Sequence, residues 1–302
     1  LQEESRKLFL SAPDNSIEKL LHALAKPTRQ SMEQQFQRFD SLSLQTAQQK
    51  IFGLPSDFDG LAEIVLHGLP GALRNNEIDK LLSICKKLGL RCNPEKIRVY
   101  PDGPIFCPII GNANSLLLLA EYNPLRAIRP MPTIPELTAI RSAGMRLPSI
   151  STGFPVPPLV VGMFDGGIDT QHPALKTFVR EESLTPEKAL PQGVAHGTAV
   201  ASALAYGSID ASQPSLSPPC VGIHSFRVFP VPKSSDDGEL NYIIDQIESI
   251  VPQRDLKIYN LSFGPRKPIE DYEIDRFTYV LDRLAMRGDR VFFIAVGNDG
   301  EA

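Results

Sequence analysis

The stretch LVVGMFDGGIDTQHP, Leu159 to Pro173, opens with six apolar or small residues and stops on an aspartate followed by two glycines. A short apolar run bounded by turn residues reads as a buried strand. Three later runs have the same character: HSFRVFPV from His224, LKIYNLSF from Leu256 and RVFFIAV from Arg290. Between the second and third lies ELNYIIDQIESIV, with Leu240, Ile243, Ile244, Ile247 and Ile250 on one helical face. Between the third and fourth lies EDYEIDRFTYVLDRLAMRG, closed by Gly288. Near-continuous apolar strands separated by amphipathic helices predict an α/β fold, a parallel sheet covered by helices on both faces.

Working outward, the chain divides into four parts. Residues 1–58 are polar and Gln-rich with helical period: Ile17, Leu20, Leu21 and Leu24 share a face ended by Pro27, and Met32, Phe36 and Phe39 mark a weaker helix. Residues 59–130 order themselves as β-α-β-β-α-β. The strand LAEIVLHGL is followed by a helix carrying Ile78, Leu81, Leu82, Cys85 and Leu88. A KIRVY/PIFCPII hairpin turns at Pro101-Asp102-Gly103, and then come the helix NSLLLLAEYNPL and the strand RAIRP. That order predicts a ferredoxin-like α+β module. Residues 131–157 are a Pro-rich linker, and the parallel-sheet domain occupies 158–302.

The chain's 302 residues are 42% hydrophobic and 22% charged, with a net charge of -4. An acidic balance with no long basic run argues against a nucleic-acid partner. No apolar run reaches the roughly 18 residues of a membrane span. Cys85, Cys92, Cys107 and Cys220 form no CxxC pair and stand near no histidine at zinc-finger spacing, so free thiols are expected and no structural metal. The start at LQEESRKL without Met and the stop at AVGNDGEA, just after a core strand, read as the ends of a fragment, and no compartment is legible.

Chemistry concentrates at three places. Asp165 ends the first apolar strand, where open α/β sheets carry their catalysts, although Asp-Gly-Gly by itself is good turn chemistry. A strand-end phosphatase aspartate would want a second acid two residues on, and Gly167 stands there. HGTAVAS, from His196, sets an imidazole at the mouth of a small-residue helix. VGNDG, from Val296, follows the last strand. A nucleotide-binding reading finds no GxGxxG or GxxxxGK loop.

In this order DGGIDTQHP, HGTAVAS and VGNDG resemble the three successive motifs of the subtilisin-like serine peptidases, the subtilases, and YNLSFGP (Tyr259–Pro265) sits where that family has its substrate-binding strand. The resemblance covers residues from about 158 to 302, and the module at 59–130 is similar to the family's inhibitory propeptide. It implies a serine endopeptidase acting on polypeptides; no cofactor and no metal-ligating residue is assigned, and calcium sites are not legible. Asp165 would orient His196, His196 would be the base, and Asn298 would donate to the oxyanion. Ser262, Phe263 and Gly264 would pair with substrate backbone, though many members carry Leu at Phe263 and Gly at Pro265. It also implies an intramolecular contact between residues 59–130 and the peptidase domain. His172 matches a family position in the loop after the turn and is expected to be structural. His22, His67 and His224 are expected to be surface or satisfied histidines. No stretch matches the family's Gly-Thr-Ser-x-Ala-x-Pro nucleophile segment. The serine is therefore expected beyond Ala302. The alternative is a catalytically inactive scaffold that binds peptides or a partner protein.

Overall fold

The computed structural model describes residues 45–134, 148–150, 154–210, 212–266 and 273–295, and positions 16, 18, 19, 22 and 25. Ser16, Glu18, Lys19, His22 and Ala25 are helical and exposed. The expected apolar face at Ile17, Leu20, Leu21 and Leu24, the weaker helix after it, and Asn298 lie outside the described residues.

The first unit is an antiparallel sheet of β1 (Asp59–Leu66), β2 (Arg91–Cys92), β3 (Arg98–Val99), β4 (Ile105–Asn112) and β5 (Leu125–Pro130). The strand order is β2-β4-β1-β5, with β3 also on β4. Helices α1 (Gly71–Lys87) and α2 (Ala113–Leu119) join them in sequence. The period-2 alternation of β1 explains why both its faces are buried. Ile64 and Leu66 enter a core with Leu81, Cys85, Leu116 and Leu119 of the helices. Val65, on the other face, joins Phe106 and Ala127 in the core of the second unit.

The second unit is a fully parallel sheet of β6 (Val160–Asp165), β7 (Val179–Ser183), β8 (Gly222–Arg227), β9 (Ile258–Leu261) and β10 (Val291–Ile294). Its order is β10-β9-β6-β8-β7. Helix α3 (Pro191–Tyr206) covers one face, where Val161, Met163 and Ile223 meet Val200, Ala201 and Ala205. Helices α4 (Glu239–Ile250) and α5 (Arg276–Ala285) cover the other, where Phe164, Phe226, Tyr259 and Leu261 meet Ile243, Ile247, Val280 and Leu284. Phe164 stacks on Phe226 with ring centroids 5.1 Å apart.

Three details differ from the sequence expectation. Strand β7 has no apolar run; it is the edge strand V-R-E-E-S, held by its pairing with β8. Helix α3 starts at Pro191, so His196 lies in its second turn rather than at its mouth; Pro191 brings a preset φ and lacks only an N–H the first turn would leave unbonded. Helix α5 starts at Arg276 because the Asp275 carboxylate caps it, accepting from the Thr278 N–H at 2.9 Å.

The two units share polar as well as apolar contacts. Arg98 of β3 forks onto Asp237 at 2.8 and 2.6 Å and reaches Asp245 of α4 at 2.7 Å. Arg276, 1% exposed, donates to the Tyr100 hydroxyl at 2.9 Å and to the Asn241 side chain at 3.0 Å. On β5, Arg126 pairs with Glu273 at 2.9 Å, and Arg129 donates to the Ile274 carbonyl at 3.0 Å. Just after β5, Thr133 forms an antiparallel bridge to Arg266.

Candidate active site at the carboxyl end of the parallel sheet

Alternation along β6 sends Val161, Met163 and Asp165 to the face that α3 covers. The Asp165 carboxylate is fully buried at the strand's end. His196, on α3, places Nδ1 2.8 Å from Asp165 Oδ1 and 3.1 Å from Oδ2. The Gly166 N–H donates to the same Oδ1 at 2.7 Å. With the carboxylate ionised, Nδ1 carries the proton and Nε2 is left as the basic nitrogen.

Small residues make this approach possible. Gly193 and Gly197 are four apart and share one face of α3. A Cβ on Gly193 would stand 3.0 Å from the Gly166 carbonyl oxygen. A Cβ on Gly197 would overlap the Gly167 carbonyl oxygen and lie 3.1 Å from Asp165 Oδ1. Thr198 ties helix to loop: its hydroxyl donates to the Val194 carbonyl at 2.6 Å and accepts from the Asp169 N–H at 2.9 Å.

The electrostatics follow from this geometry. The Asp165 carboxylate bonded to His196 raises the imidazole pKa above its ordinary value, and burial opposes the rise without cancelling it. Burial pushes the Asp165 carboxyl up, while His196 and the Gly166 N–H pull it back. A buried carboxylate beside an imidazole fixes its tautomer and stabilises the imidazolium, an arrangement suited to general-base catalysis by histidine.

The expected substrate segment follows β9. Ser262 donates to Asn260 Oδ1 at 2.9 Å. Phe263 is buried, edge-on to Phe229 at 5.2 Å and near Phe277, so its side chain belongs to the core. Gly264 is open but for the Ala295 carbonyl, 3.5 Å from where its Cβ would be. The hydroxyls of Ser202 and Ser262 are engaged elsewhere than at His196: Ser202 gives its proton to the Thr198 carbonyl at 2.8 Å and Ser262 gives its own to Asn260. His172 Nδ1 accepts from the Ala174 N–H at 3.3 Å. His224 is buried with Nε2 3.4 Å from Glu182 and Nδ1 unpartnered.

Among the described residues no group of three or more His, Cys, Asp or Glu could hold a metal ion. The four cysteines are free, Cys220 exposed and Cys85 and Cys107 buried. No helix among the described residues is long and apolar enough to cross a membrane. Sequence reasoning missed the packing role of Gly193 and the tie made by Thr198, although Thr198 stands inside the His-Gly-Thr triplet.

Residues 158–302 match the model of the subtilase family, Peptidase_S8. No curated protein matches the chain. Among solved structures, a phospho-2-dehydro-3-deoxyheptonate aldolase (DAHP synthase) from Thermotoga maritima is similar at 10% identity and a TM-score of 0.19, over 78% of this chain and 69% of that one. A similarity at that level carries no argument.

Proposed function

We propose, from the match of residues 158–302 to the model of the subtilase family, an endopeptidase that cleaves polypeptides through an acyl-enzyme. The observation that carries the reading is the 2.8 Å contact between His196 Nδ1 and the buried Asp165 carboxylate. In the proposed cycle Nε2 of His196 takes the proton of a serine hydroxyl as that oxygen attacks the scissile carbonyl. It then returns the proton to the leaving amine, and repeats the transfer with water to release the acid. Asp165 stabilises the imidazolium formed each time, and Asn298 donates to the oxyanion. The backbone of Ser262, Phe263 and Gly264 would receive the substrate as an added strand.

None of the chain's 302 residues matches the family's nucleophile segment, so the proposal places the serine downstream of Ala302. It also gives residues 59–130 the role of a propeptide-like inhibitor. Two observations support that role: the antiparallel bridge from Thr133, just beyond β5, to Arg266, beside the proposed substrate segment, and the ion pairs of Arg98 and Arg126 to the peptidase domain.

Fluorophosphonate labelling tests the reading. A protein carrying the downstream sequence should label stoichiometrically at a serine beyond residue 302, and residues 1–302 alone should not label. Labelling at a serine within 1–302 would overturn the nucleophile assignment. An unlabelled longer protein would overturn the endopeptidase reading in favour of an inactive scaffold.

A further inference from the structure

The loop that leaves Asp165 is gripped from two sides. Gly193, Gly197 and Thr198 of α3 hold one side. The other is held from the far edge of the sheet, two strands away from β6. Glu181 of β7 accepts the backbone N–H of Ile168 on Oε2 at 2.7 Å, and its Oε1 lies 3.8 Å from Nε of Arg227. Arg227 ends β8 directly beside Asp165 in the sheet register. Its own guanidinium is fixed by the carbonyls of Glu187 and Phe229, at 2.7 and 3.2 Å, and by the Ser183 hydroxyl at 2.6 Å.

Gly167 lies between these groups at φ 115°. A Cβ there would stand 3.0 Å from Arg227 Cδ, 3.3 Å from Glu181 Oε2 and 3.4 Å from Val194 Cγ2. The Gly167 carbonyl in turn fills the space against Gly197, the neighbour of His196. A chain of direct contacts therefore runs from the Glu181 carboxylate through Ile168 and Gly167 to the helix that carries the imidazole.

Resting on the subtilase reading of Asp165 and His196, we propose that Glu181 is a positioning residue: its hydrogen bond to Ile168 sets the loop against which α3 seats His196 on Asp165. Stability is not its main contribution. A partly exposed carboxylate, 24% accessible and 3.8 Å from its cation, belongs to a class of ion pair that contributes little to folding. A hydrogen bond, by contrast, weakens steeply as its angle closes, and small displacements of a catalytic group cost large factors in rate.

The test uses the protein with its downstream sequence and two readouts, the low-field proton resonance of His196 Nδ1–H and the division of any rate loss between kcat and KM. Glu181→Leu removes the acceptor and should broaden or shift that resonance. It should lower kcat about tenfold with KM within about twofold, and lower the thermal midpoint by no more than the few degrees that one unpaired N–H costs. Glu181→Gln keeps a carbonyl acceptor for Ile168 and should recover most of the loss. A folded Glu181→Leu protein with the wild-type resonance and wild-type kcat overturns the proposal. Should that variant fail to accumulate, Glu181→Ala is read by the same resonance, with the same two outcomes. Asp165→Asn serves as the reference: a low-field resonance that survives it shows that the Asp165–His196 pairing itself is wrong. In a protein without peptidase activity the resonance still reports the pair, so failure of the function and failure of the positioning are read separately.

Discussion

Gly197 lies so close to Gly167 that the helix and the strand-end turn share one space, and no side-chain atom fits between them. The contact explains why the residue after the imidazole is glycine. It predicts the outcome of Gly197→Ala, where two effects of opposite sign compete. Alanine in a helix interior gains about 1 kcal/mol of propensity over glycine, whereas overlap with a backbone carbonyl forces shifts that cost about 1–3 kcal/mol. The displaced backbone also bears on Asp165 Oδ1, 3.1 Å from the new methyl. Net destabilisation is expected, with peptidase turnover falling by more than the loss of folded protein accounts for. Chemical denaturation and active-site titration on one preparation measure both; a variant more stable than wild type with full turnover contradicts the packing argument.

Asp165→Asn should preserve the fold and lower kcat by about four powers of ten, the scale seen when a triad carboxylate is made neutral. The pH profile gives an independent check. The Asp165 carboxylate raises the His196 pKa, and His196 must be neutral to act as the proposed base. Activity should therefore be lost as the pH falls through a value above 6.5, the ordinary histidine value. Any residual activity of the asparagine variant should lose that displaced limb. A wild-type limb at or below 6.5 would show that the carboxylate does not act on the imidazole as the geometry requires.

Arg276 tests how firmly the two units hold each other. Its guanidinium is 1% exposed and bonded to Tyr100, Asn241 and Asp245. Asp245 and Glu248 are 41% and 34% exposed and remain solvated when it is removed. The loss therefore falls at the lower end of the range for breaking a buried pair, and Arg276→Met should cost about 3 kcal/mol. Lys80→Ala, which breaks the exposed Lys80–Glu77 pair, should cost less than about 0.5 kcal/mol. Denaturant midpoints of the two variants compare the sites directly, and equal effects would sink the distinction.

His224 predicts an acid limit. Burial, with Arg180 adding to it, pushes its pKa from 6.5 down to about 4, and Glu182 at 3.4 Å offsets only part of the shift. A folded pKa below the unfolded one means the unfolded chain takes up the proton first. The stability from the neutral ring is then complete above pH 6.5 and lost as the pH falls toward 4. The loss amounts to at most about 3 kcal/mol at 1.36 kcal/mol per pH unit. His67, also pushed to about 4, adds in the same direction. Stability measured from pH 7 to 4 should fall less steeply in His224→Gln; an unchanged slope would remove His224 as a cause.

The elements of the parallel sheet that were legible in the sequence are those whose burial leaves a periodic trace. Leu240, Ile243, Ile244, Ile247 and Ile250 repeat at helical spacing because α4 buries one face, and β6 reads as an apolar run because helices cover both sides of it. The segments that bring Asp165 and His196 together stand out for a different reason: Asp-Gly-Gly and His-Gly-Thr combine a titratable group with the glycines that let two backbones approach. Strand β7 left no trace, since it is an edge strand without an apolar run, held by its backbone pairing with β8. The same holds for what surrounds the pair. Glu181 is thirteen residues from Ile168, Arg98 is 139 from Asp237, and Tyr100 is 176 from Arg276. Local sequence determines which segments become strands and helices and which short motifs carry chemistry. Contacts between groups so separated along the chain depend on strand order and helix packing, and only the folded chain brings them together.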